Sequence, residues 1–89
     1  MSEEPAERAR GYIASVAEAV QKIMPLKEDV KVKAANVERV SDTIHRYLQD
    51  ARFYLESGKA TTALASIAYA EGLLDALNFL ELTKTRTTQ

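Results

Sequence analysis

Apolar residues recur at steps of three and four along most of this chain, which is the period of an α-helix. The pattern is densest between Ala60 and Leu82, ATTALASIAYAEGLLDALNFLEL. On a helical wheel Ala63, Ile67, Ala70, Leu74 and Leu77 form one stripe. Tyr69, Leu73, Ala76 and Leu80 form a second beside it. Only Glu71, Asp75 and Asn78 make a polar side, so this helix is apolar over most of its circumference. Such a helix belongs at the centre of a bundle or under a partner. Gly72 stands mid-helix, where glycine costs about 1 kcal/mol relative to alanine. The expected compensation is close approach of a neighbouring backbone.

Two further runs precede it. Ala9, Tyr12, Ile13, Val16, Val20 and Ile23 share one helical face. Ser2 is placed to cap that helix, with Glu3, Glu4 and Pro5 in its first turn, and Pro25 stops it. The first helix is therefore predicted over about 3–24. Leu26–Ala35 is ambiguous: Val30 and Val32 alternate with lysines as in a short strand, yet the three-four stepping from Leu26 to Leu55 is unbroken. No second strand pattern exists to pair with one here. The second helix is predicted to start between Asp29 and Asn36 and to run to about 57. Gly58 is a good C-terminal stop. Ser57-Gly58-Lys59 is then a tight turn that sets the last two helices side by side and antiparallel. Residues 83–89, TKTRTTQ, are expected to fray. The prediction is an all-α fold: an antiparallel three-helix bundle with a C-terminal helical hairpin, in one domain over residues 1–89. A single hairpin is too few to form a tetratricopeptide array, which needs about three stacked repeats.

Composition narrows the classes. Twelve basic residues against thirteen acidic ones leave a net charge of -1, with no basic stripe for phosphates, so general nucleic-acid binding is not expected. There is no cysteine, which removes disulfide and thiol chemistry and suits a reducing cytoplasm. No apolar run reaches the roughly 20 residues of a membrane span. The acidic start, MSEEPAERAR, lacks the apolar core of a signal peptide.

From Arg46 to Leu77 the chain reads RYLQDARFYLESGKATTALASIAYAEGLLDAL. It runs from an aromatic-Leu-x-Asp-Ala segment through an aromatic pair and a Gly turn to Y-A-E-G-L-L-D-A. This half resembles an archaeal family of short helical proteins known as a domain of unknown function. The resemblance implies an all-helical bundle and an archaeal, cytoplasmic source. It implies no activity, catalytic residue, metal or cofactor. Its characteristic positions fall on Tyr47, Asp50, Tyr54, Tyr69, Glu71, Gly72 and Asp75.

Several groups carry candidate chemistry. Glu71 and Asp75 lie one turn apart. If the second helix covered them, burial would raise their pKa values, and with Asp50 they would suit a cation or small ligand lined by tyrosines. The structural alternative is hydrogen bonding to tyrosine hydroxyls or pairing with Arg46 or Arg52. Tyr47, Phe53, Tyr54 and Tyr69 cluster near the hairpin, as stacking surfaces or as core and rim residues. His45 shares a polar stripe with Glu38, Asp42 and Gln49, but one histidine on one helix cannot make ligands converge. Arg39 and His45 also show the Arg-x5-His spacing of small helical ribonucleases, although six helical positions set them on different faces. No phosphate loop, Ser-His-Asp set or Cys/His metal spacing is present. Interaction remains the leading expectation. The last two helices should keep apolar surface that a second copy or another protein would bury, with Leu73 and Leu80 as the flank to test.

Overall fold

The computed structural model describes residues 3–84, and side chains from Pro5 onward. It contains three α-helices, α1 (Glu3–Gln21), α2 (Ala34–Glu56) and α3 (Ala60–Phe79). No strand occurs among the described residues. The class is all-α, as the periodicity predicts. The chain divides into two compact units, Met1–Val30 and Lys31–Gln89.

In the first unit, α1 ends at Gln21, three residues short of the predicted Met24. Its last turn tightens to i→i−3 spacing: Lys22 N–H donates to Ala19 O (3.0 Å) and Ile23 N–H to Val20 O (3.2 Å). Pro25 disfavours helical geometry at the residue before it, so the helix unwinds ahead of the ring. Tyr12, Ile13, Val16 and Val20 form the apolar face, and all are exposed. Lys22 Nζ lies 3.5 Å from Glu18 Oε2 at an exposed i,i+4 position, where such a pair contributes about 0.5 kcal/mol at most. The Ser2 cap lies outside the described residues.

The second unit opens on extended backbone. Val30 and Val32 belong to no strand, which resolves the ambiguity of that segment, and α2 starts at Ala34, inside the predicted window. Lys33 is extended (φ -66°, ψ 136°) and makes no side-chain cap. Helix α2 closes on a left-handed residue, Gly58 (φ 80°). Lys59 N–H donates to Tyr54 O (2.8 Å) and Gly58 N–H to Leu55 O (3.2 Å), the paired bonds of a Schellman turn. Ser57 Oγ also donates to Phe53 O at 2.8 Å. The same motif ends α3, which is three residues shorter than predicted. Leu82 N–H donates to Leu77 O (2.9 Å) and Glu81 N–H to Asn78 O (3.0 Å). Here the left-handed position is filled by Glu81 (φ 58°). Of the tail predicted to fray, residues 85–89 lie outside the described residues.

Helices α2 and α3 pack as an antiparallel hairpin. Tyr47 and Tyr69, each eleven positions from Gly58, meet across it with ring centroids 4.5 Å apart and ring planes tilted by 59°. Residues equally far from Gly58 therefore lie level with one another. The buried seam is Ala51 from α2 and Ala63, Ala70 and Leu77 from α3. The α3 members recur every seven residues, with Ser66 and Leu73 half-buried between them. Val37, Val40, Ile44, Tyr47, Ala51 and Tyr54 of α2 follow the matching alternation of three and four. This is the knobs-into-holes pattern of paired helices, with alanine at its centre so that the backbones approach closely.

Candidate interaction groove

The seam leaves the two sides of the hairpin unequal. On one side an apolar groove runs its length in two recesses. The first, about 320 Å³, is lined by Leu48, Leu55, Ala60, Leu64 and Ile67, with Arg52 at its edge. The second, about 370 Å³, is lined by Ile44, Leu48, Ile67, Ala70 and Leu74, with Glu71 at its edge. Leu48 and Ile67 belong to both, so the recesses form one strip. Leu55 is 63% exposed, Leu64 68%, Ile67 37% and Leu74 39%. The helical period places them there. With Ala63, Ala70 and Leu77 facing α2, the positions one step on, Leu64, Ile67 and Leu74, are turned partly out of the seam.

The other side is more polar. A recess of about 360 Å³ there is lined by Asn36, Arg39, Val40, Thr43, Tyr69 and Leu73. Thr43 Oγ1 donates to Arg39 O at 2.9 Å, closing a turn of α2 onto itself. The tilted Tyr47–Tyr69 pair continues this side, and Arg46 Cζ sits 5.9 Å from the Tyr47 ring centroid. Phe53 and Tyr54 meet edge to face at 5.5 Å. The aromatic cluster predicted near the hairpin is thus two pairs. Tyr47 and Tyr54 are half-buried, and Tyr69 and Phe53 are exposed.

The carboxylates are not covered. Asp50, Glu71 and Asp75 are all exposed, because the seam turns α3 so that alanines and not acids face α2. Asp50 lies one turn from Tyr47 and Tyr54, on the Tyr69 side, whereas Glu71 edges the groove. Among the described residues no three His, Asp or Glu side chains gather as metal ligands would. Neither Glu71 nor Asp75 pairs with Arg46 or Arg52; the ion pair found among the described residues is Lys22–Glu18. His45 Nδ1 donates to Ser41 O at 2.9 Å, and its neighbours Glu38, Asp42 and Gln49 are exposed. Arg39 lines the polar recess and His45 points elsewhere, so the structure does not bring this pair together. Gly72 corrects its expectation: a Cβ there would meet nothing within 4 Å, and no backbone approaches it.

The two leucines singled out from the sequence differ from one another, and Leu80 is 65% exposed. Leu73 is half-buried beside Tyr69, and Leu80 is the C-cap of α3. The wide apolar surface is on the opposite side, at Leu55, Leu64, Ile67 and Leu74. The signal for it was present in the sequence: Leu64, Ile67 and Leu74 border the alanines of the seam, and alanines are the residues that mark a close helix contact.

The chain is all-α and contains an alanine-seamed hairpin with an apolar groove. It belongs to the family described as "Protein of unknown function (DUF357)", which matches residues 11–83. No curated protein and no solved structure matches the chain. Among the described residues no helix is long and apolar enough to cross a membrane.

Proposed function

We propose that this protein is a small helical interaction module that acts by burying the groove of the α2–α3 hairpin. The observation that carries this reading is the exposure of Leu55, Leu64, Ile67 and Leu74 in one continuous strip. Helix α3 is apolar around most of its circumference, yet α2 covers a single stripe of it. Burial of apolar surface is worth about 25 cal/mol per Å², so covering such a strip is a substantial driving force. A contiguous strip on a small surface marks a place of contact, unlike scattered exposed leucines. The archaeal, cytoplasmic setting implied by the resemblance belongs with this reading. No observation favours ligand binding at Asp50, Glu71 and Asp75, or RNA cleavage by Arg39 and His45.

Leu64→Lys in the full chain tests it. Leu64 faces outward in the hairpin, so helical circular dichroism should be retained. If the groove is covered in solution, a lysine there costs several kcal/mol of the covered state and lowers the melting temperature. If it is open, the variant loses the fluorescence of an apolar dye that binds the parent. Unchanged melting, mass and dye binding together would end the reading, since an idle surface position shifts stability by no more than about 0.5 kcal/mol.

A further inference from the structure

We draw no further inference here: the strongest candidate, the apolar groove of the α2–α3 hairpin at Leu55, Leu64, Ile67 and Leu74, belongs to the site already described, and nothing in the structure shows what covers it.

Discussion

Two glycines of this chain carry opposite obligations. Gly58 holds φ at 80°, and the Schellman bonds of Lys59 and Gly58 depend on that geometry. A side chain in the left-handed region costs about 1–2 kcal/mol, so Gly58→Ala should destabilise the hairpin by about that much in urea unfolding. A stability equal to the parent would show that the turn relaxes to another form. Gly72 is helical, exposed and free of neighbours. There Gly72→Ala should raise stability by up to about 1 kcal/mol. Loss of stability at that site would mean that something approaches α3 that the isolated hairpin does not contain. Glu81 occupies the left-handed position of the second Schellman turn without being glycine. Its motif is recognisable only in the structure, because glycine is the residue that announces it in a sequence.

The helices themselves were legible at their centres and less so at their ends. The three-four period locates all three, and Pro25 and Gly58 punctuate them as their backbones require. Helix α1 stops three residues early because a proline acts on the residue before it. Helix α3 stops early because a left-handed residue intervenes at a position no residue type reveals. The start of α2 was ambiguous for a physical reason: Lys33 makes no side-chain cap, so nothing in the sequence marks the boundary. Packing between α2 and α3 rests on small residues. Ala70 is 3% exposed at the middle of the seam. Ala70→Leu inserts three carbons where the backbones are close, and should cost about 1–3 kcal/mol by calorimetry. Tolerance without loss would show that the helices can part, and the alanine seam would not be what sets their spacing.

At the scale of the molecule, the buried hydrophobic core among the described residues is three alanines and one leucine. Chains of this length bury only about 60% of their unfolded surface, and this core is thin even so. A hairpin with so little enclosed gains from any contact that covers its groove. If that contact is a second copy, the melting temperature must rise with chain concentration, because association stabilises by mass action. Melting that is the same at micromolar and millimolar chain would contradict it. The sequence made the apolar excess of α3 plain, and marked the side on which it emerges only through the small residues Ala63 and Ala70 that Leu64, Ile67 and Leu74 border. Leu73 and Leu80 were as apolar as Leu64 and Leu74. Leu64, Leu74 and Leu80 stay exposed and Leu73 is half-buried, and that is decided by which face the alanines turn toward α2, between helices and not along one. The exposure of Glu71 and Asp75 follows from the same rotation.

The three-residue connection between α2 and α3 also bears on time. Every contact of the seam closes a loop centred on Gly58, from the short one between Ala51 and Ala63 outward. Loop closure of that kind loses little entropy at each step, and proteins dominated by such local contacts fold in microseconds to milliseconds. The hairpin can zip from its turn, so the turn is formed early and the far ends, Val37 and Leu77, meet last. A strained turn would then be felt in the rate of folding, while a loosened far end would be felt in the rate of unfolding.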